Sequence, residues 1–158
     1  MTDAISTALQ EVDAALGRLA DTLSGLDDGA LHLAHRDGGW TPAQLVSHIN
    51  MSVLVWTATL SRLAADRELA FVLREEVGHD VKGYPPPTLA LAQQHLSSAR
   101  RTLATVVPAV PADVLARELT IPDLGTLTVE AWTPPILGHA AGPAQQALDV
   151  LQDRGALA

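Results

Sequence analysis

Two histidines are the residues of this chain whose type and position best fit metal or proton chemistry. His48 ends the segment WTPAQLVSH, and His139 lies near the other end of the chain. Both fall on the apolar sides of predicted helices, where an imidazole needs a hydrogen bond, a metal ion or a substrate as its partner. Facing helices of a bundle could bring both rings to one zinc, nickel, iron or copper ion. A buried histidine bonded to a carbonyl or hydroxyl group is the alternative, and spacing alone favours it.

A third metal ligand is not obvious from the sequence, although catalytic zinc usually has three protein ligands. Cysteine is absent, which excludes thiolate ligands, thiolate nucleophiles and disulfides. His79 with Asp80 is the most reactive pair by residue type, followed by Glu75, Glu76 and His95, but charged loop clusters are usually only solvated. No serine nucleophile elbow, P-loop or dinucleotide-binding glycine motif occurs.

Length and charge narrow the remaining possibilities. The 158 residues predict a single domain, residues 1–158, with a substantial core. Ten Lys and Arg against 18 Asp and Glu give a net charge of -8, so no basic face can form and nucleic acid is disfavoured as a partner. No apolar run approaches membrane-spanning length, and no basic region precedes an apolar stretch at the start. We therefore expect a cytoplasmic protein that binds a small molecule, with no membrane partner.

Apolar residues recur at three- and four-residue steps in four segments, as is typical of amphipathic helices. The first covers about residues 2–23. The second begins at Pro42, where Thr41 is the N-cap and Gln44 completes a capping box, and it runs at least to Leu63. The third spans about residues 88–106. Strand patterns are nearly absent outside residues 119–129, so the chain is predicted to be an all-α four-helix bundle.

The start of the last helix is ambiguous. Thr128 begins a helical pattern, but Pro134 and Pro135 interrupt it. Proline suits the first helical position, so we expect Thr133 to be the N-cap and the helix to run toward Arg154. The predicted inward face of this helix carries Ile136, His139, Pro143, Ala147 and Val150.

Three of the five aromatic residues are tryptophans. Trp40 directly precedes the N-cap of the second helix, from where an apolar side chain packs at the mouth of the bundle. Trp56 lies on the same side of that helix as His48 and is expected in the core or the pocket wall. Trp132 could line a pocket, but core packing explains all three.

The pattern W-T-x-x-x-L-x-x-H from Trp40 to His48, followed by H-x-x-x-P-x-x-Q from His139 to Gln146, resembles the bacterial DinB/YfiT-like superfamily. The resemblance extends over nearly the whole chain. The superfamily that it points to includes thiol-dependent transferases and mycothiol-dependent maleylpyruvate isomerases. It implies an up-down-down-up bundle in which residues 66–87 cross from one end to the other. Short-loop reasoning alone favours up-down-up-down order instead.

The resemblance also implies a metal site built from one histidine of the second helix and two ligands, four residues apart, on the fourth. His48 and His139 match the first two ligands, and Gln146 matches the trailing glutamine. Pro143 occupies the third position and has no donor atom, so we expect a degenerate site that binds nickel or zinc weakly. Trp40 and Trp56 complete the expected pocket, with the two imidazoles within about 3–6 Å of each other.

Two functions follow from these residues. By resemblance, the chain is a metal-dependent thiol transferase or isomerase that uses an external low-molecular-weight thiol and has no identified catalytic residue. The alternative is a metal-free, non-catalytic, stress-associated bundle that binds a small molecule or acts as a homodimer. Because one ligand is missing, the sequence leaves open whether the chain is an enzyme, and it indicates neither a substrate nor a thiol.

Overall fold

Four long helices form the bundle. The computed structural model describes residues 2–69, 86–121 and 124–157. The long helices are α1 (Asp3–Leu23), α2 (Pro42–Ala65), α3 (Leu89–Ala109) and α4 (Val129–Asp153). A 3₁₀ helix (Asp28–His32) follows α1, and a one-turn helix (Ala112–Leu115) follows α3. Strands β1 (Glu118–Ile121) and β2 (Gly125–Thr128) pair antiparallel as a hairpin before α4.

Side-chain caps explain where α2 and α3 begin. The Thr41 hydroxyl accepts from the Gln44 amide at 3.3 Å, and the Gln44 side chain accepts from the Thr41 amide at 2.9 Å. This reciprocal box satisfies two of the amides that a helix start leaves unpaired, as the sequence predicted. Thr88 caps α3 with its hydroxyl alone, which accepts from the Leu91 amide at 3.3 Å. Helix α3 passes through Pro108 and ends at Ala109, three residues beyond the expected end.

Contacts between helix ends establish the up-down-down-up order. The Arg36 guanidinium, just before α2, donates to the Asp153 carbonyl at the end of α4, so α2 and α4 are antiparallel. The Arg67 guanidinium, just after α2, donates to Asp113, just after α3, so α2 and α3 are parallel. Asp28, which follows α1, accepts from the Leu89 amide that starts α3, so α1 and α3 are antiparallel.

Each helix packs against two others. Helices α1 and α2 both contact α3 and α4, so α1 lies diagonally opposite α2, and α3 lies diagonally opposite α4. The core fills the space between them with leucine, isoleucine, valine and alanine, and Trp56 is its largest fully buried side chain. None of the helices in the described residues is long and apolar enough to span a membrane. Most of the predicted crossing segment, residues 66–87, lies outside the described residues.

The expected start of α4 at Thr133 is wrong. Thr128 is the N-cap and accepts from the Ala131 amide at 3.1 Å, and the helix continues through Pro134 and Pro135. Tertiary contacts explain the difference, because the first amide of the helix, that of Val129, donates to the carbonyl of Arg117 at 2.8 Å. The hairpin thus holds the first turn of α4 in helical conformation ahead of the two prolines.

Candidate metal centre

His48 lies on the second turn of α2 and is 3% exposed. The loop before α2 turns at Gly38 and Gly39, whose φ angles of +88° and +108° are readily adopted only by glycine. This turn brings Trp40 against the imidazole, with ring centroids 5.0 Å apart in an edge-on arrangement. The capping box and Trp40 together fix the position of His48 at the mouth of the bundle.

His139 lies on α4 and approaches His48 from the neighbouring helix. The two Nε2 atoms are 3.0 Å apart, and the ring centroids are 5.0 Å apart at an interplanar angle of 76°. The predicted separation of about 3–6 Å is therefore confirmed for residues 91 positions apart in the sequence. Whether the pair binds metal stays a prediction.

The inward placement of His139 is wrong. Its side chain is exposed, and Ile136 and Pro143 on the same face are only half-buried, whereas Ala147 and Val150 are buried as predicted. Around His139 the buried stripe of α4 is rotated by about one residue from the predicted one, because the helix packs into the groove between α1 and α2. That stripe comprises Val129, Trp132, Thr133, Leu137, Ala140, Ala144, Ala147, Val150 and Leu151. The pair therefore joins a buried imidazole to one that solvent reaches.

The geometry of the pair suits a shared ion. A neutral imidazole has one N–H and one lone pair, so two Nε2 atoms in contact need a proton or a metal ion between them. Two nitrogens that bind one ion at about 2.0–2.1 Å lie roughly 2.9–3.4 Å apart for ligand–metal–ligand angles of about 90–109°. The observed 3.0 Å lies inside that range, so the residues present fit a metal ion as its first two ligands.

A complete three-ligand set is not present in the described part of the chain. Pro143 follows His139 by one helical turn and contributes no donor atom, and Gln146 is exposed. His95 lies on α3, diagonally opposite α4, and its Nδ1 is buried without a hydrogen-bond partner among the described residues. The other candidate ligands from the sequence, His79, Asp80, Glu75 and Glu76, lie outside the described residues.

The stretches of α2 and α4 that carry the pair contain no formally charged side chain. Neither residues 42–61 of α2 nor residues 131–148 of α4 include an Asp, Glu, Lys or Arg. An ion bound there would meet no competing cation from these two stretches. Its positive charge would be balanced by its own ligands, by solvent or by a substrate.

The two other tryptophans differ in their hydrogen bonding. Trp56 is 1% exposed, and its indole N–H has no partner among the described residues. Trp132 is 7% exposed, and its indole donates to the carbonyl of Leu119 on β1 at 2.8 Å. Sequence reasoning missed this bond, because no local pattern indicates which backbone carbonyl a distant indole will meet.

Comparisons with known proteins agree with this architecture. The family model of the DinB superfamily matches residues 11–147. The solved structure of YfiT from Bacillus subtilis, described as a probable metal-dependent hydrolase with an unusual four-helix bundle topology, superposes with a TM-score of 0.75. The two chains are 16% identical, and the match covers 98% of this chain and 90% of that one. None of the curated proteins matches. From its helices, its histidine pair and the extent of the family match, this chain belongs to the DinB superfamily.

Proposed function

We propose that this protein binds one divalent metal ion, zinc or nickel, between His48 and His139 and is a metal-dependent enzyme that acts on a small molecule. The observation that carries the proposal is the 3.0 Å separation of the two Nε2 atoms. YfiT, which shares the fold, is described as a probable metal-dependent hydrolase, and this supports the same class of chemistry here.

The two histidines have different tasks in this proposal. His48 is buried and held by Trp40, so it fixes the position of the ion. His139 is exposed, so the ion would be open to solvent and substrate on the α4 side. A divalent ion supplies a Lewis acid that lowers the pKa of a bound water or thiol and thereby provides a nucleophile at neutral pH.

Two reaction types share this requirement. In a hydrolase, the class that the description of YfiT names, the nucleophile is water. In a thiol transferase or isomerase it is an external low-molecular-weight thiol, and a chain without cysteine has no thiol of its own to compete. Activity that requires an added thiol would select the second type, and hydrolysis of an ester or amide without thiol would select the first.

Calorimetric titration of tag-free protein with zinc and nickel tests the proposal. We expect one site per chain, and His48→Ala should weaken binding at least tenfold, or about 1.4 kcal/mol, because one of two ligands is lost. His32→Ala is the matched control, since His32 is an exposed histidine of the 3₁₀ helix that is not part of the pair. Equal affinities for wild type and His48→Ala would exclude the pair as the metal site.

The absence of a third described ligand favours one alternative, a metal-free bundle that binds a small molecule or pairs with a second copy. In that case one imidazole donates an N–H to the other across the 3.0 Å gap. The titration then shows no metal uptake, while a small-molecule binding screen or a concentration-dependent mass measurement gives a positive result.

A further inference from the structure

Helix α4 is missing backbone hydrogen bonds around the residue that it presents to the site. Pro134, Pro135 and Pro143 have no N–H, so the carbonyls four residues earlier lose their usual helical donors. The carbonyl four residues before Pro143 is that of His139 itself. The helix turn that carries His139 is therefore held less firmly by its own backbone than a turn of α1 or α2.

The start of α4 is instead held by the hairpin. The Trp132 indole donates to the Leu119 carbonyl at 2.8 Å, and the Val129 amide donates to the Arg117 carbonyl at 2.8 Å. The Arg117 guanidinium in turn donates to the Leu63 carbonyl near the end of α2 at 3.3 Å. The hairpin thus connects the beginning of α4 to the end of α2, the helix that carries His48.

Trp132 is well placed to set the rotation of α4. It precedes His139 by two helical turns, so the two side chains leave the helix on nearly the same side, about 20° apart. Rotating a helix by 10° about its axis moves a side-chain atom roughly 6–7 Å from that axis by about 1 Å. A displacement of that size is large for a ligand, because metal and catalytic constellations require positions within about 0.5 Å.

We infer that Trp132 is a positioning residue for His139, and that its indole N–H, acting through α4, keeps the two Nε2 atoms close enough to share one ion. This inference rests on the proposed function, because it concerns the same metal site. The hydrogen bond from the Trp132 indole to the Leu119 carbonyl would then position a metal ligand in addition to stabilising the fold. It also explains how a proline-rich helix can hold a ligand at a set distance from its partner.

The experiment compares Trp132→Phe with Thr133→Val. Each substitution removes one hydrogen bond of a buried α4 side chain, but only the first removes a bond to the hairpin, since the Thr133 hydroxyl donates to the Val129 carbonyl within α4 at 2.7 Å. We expect Trp132→Phe to weaken zinc or nickel binding about tenfold and to change the visible absorption spectrum of the cobalt(II)-loaded protein. Thr133→Val should leave both unchanged, even if it lowers the melting temperature.

Hydrogen–deuterium exchange of the metal-free protein tests this inference separately from the proposed function. In the metal-free protein, backbone amides of residues 139–142 should exchange with deuterium faster in Trp132→Phe than in Thr133→Val. Equal exchange rates, together with an unchanged cobalt spectrum, would overturn the positioning role and leave the metal site intact. If the wild type takes up no metal, the proposed function fails and the exchange comparison alone decides the inference.

A second variant covers the case in which Trp132→Phe does not fold. Arg117→Met keeps the aliphatic part of the side chain but removes the guanidinium bonds to the end of α2. We expect Arg117→Met to weaken metal binding and to speed amide exchange at residues 139–142, but less than Trp132→Phe does. An Arg117→Met protein that matches the wild type in both measurements would contradict the connection through the hairpin.

Discussion

Two antiparallel pairs of neighbouring helices, α1 with α3 and α2 with α4, are each joined by a polar contact between side chains, and the two contacts are of opposite kinds. Between α1 and α3, the Arg100 guanidinium donates to both oxygens of the Asp13 carboxylate, at 2.7 and 2.9 Å. Between α2 and α4, two identical imidazoles meet nitrogen to nitrogen at 3.0 Å. The first contact joins complementary charges, whereas the second joins groups that need a proton or an ion between them.

The charges on the α1–α3 side satisfy each other. The hydrogen bond from Arg100 lowers the pKa of the Asp13 carboxyl group below its ordinary value, in spite of some desolvation. The same hydrogen bond raises the pKa of the Arg100 guanidinium. A pair in which each partner stabilises the charged form of the other has no need of a ligand, so we interpret this contact as structural, while the histidine pair is the candidate site.

Helices α1 and α4 also differ in how many prolines and glycines they contain. Helix α1 has no internal proline, and its one interior glycine, Gly17, lies under the Arg100 guanidinium, where an added Cβ would approach Cζ to 3.3 Å. Helix α4 has three prolines and two exposed glycines, Gly138 and Gly142, on either side of His139. Helix α1 is thus regular and is joined to α3 by an ion pair, whereas α4 lacks several helical hydrogen bonds near the candidate site.

The largest effect is expected from adding a third ligand to the histidine pair between α2 and α4. Pro143→His places a third imidazole one turn after His139 on the same face, facing His48 across the gap. We expect zinc or nickel affinity to rise at least tenfold, about 1.4 kcal/mol, measured by titration calorimetry. Pro143→Ala is the control, because it returns the backbone N–H without adding a ligand. If affinities are equal in all three proteins, position 143 does not face the site or another residue already supplies the third ligand.

A smaller effect is expected on the ion-paired side. Asp13→Asn should lower the free energy of unfolding by about 0.5–1 kcal/mol at pH 7, since both partners are more than a third exposed and solvent screens the pair. Glu11→Gln on the same helix is the control, because Glu11 has no ion pair among the described residues. Urea unfolding of the three proteins measures the difference, and Asp13→Asn should leave metal affinity unchanged.

The same variant gives the pH dependence. Because the folded-state pKa of Asp13 is lowered, its contribution to stability is fully present above the unfolded-state pKa of about 3.9. It is lost as the pH falls through the folded-state value. The wild type should therefore have a larger free energy of unfolding than Asp13→Asn above about pH 4, and this difference should disappear in stronger acid. A difference that does not change with pH would contradict a contribution from the ionised Asp13.

The smallest expected effect concerns Gly17. Alanine in a helix interior is favoured over glycine by about 0.5–1 kcal/mol, but here the new methyl group would press on the Arg100 guanidinium. We expect Gly17→Ala to change stability by less than about 0.5 kcal/mol in the wild type and to stabilise more when Arg100 is replaced by methionine. A double-mutant cycle by urea unfolding measures this. An equal effect in both backgrounds would mean that the guanidinium moves away without cost.

Much of the helical structure follows from the sequence alone, because its signals are local. The capping box of Thr41 and Gln44 and the apolar repeats of α1 and α3 act within a few residues, and their start positions agree with the structure to within one residue. The up-down-down-up order is confirmed, but short-loop reasoning from the residues alone favoured a different one. Only the resemblance to a known family pointed to it, since helix direction depends on contacts between distant helix ends.

Three features of α4 were decided by tertiary structure. The helix begins at Val129 because the carbonyl of Arg117, just before β1, accepts from its first amide and the carbonyl of Leu119 on β1 accepts from the Trp132 indole. These bonds outweigh the local preference for starting at the prolines. His139 is exposed because the rotation of α4 is set by packing against α1 and α2. The 3.0 Å contact with His48 joins residues 91 positions apart, and only the packing of the folded helices brings such residues together.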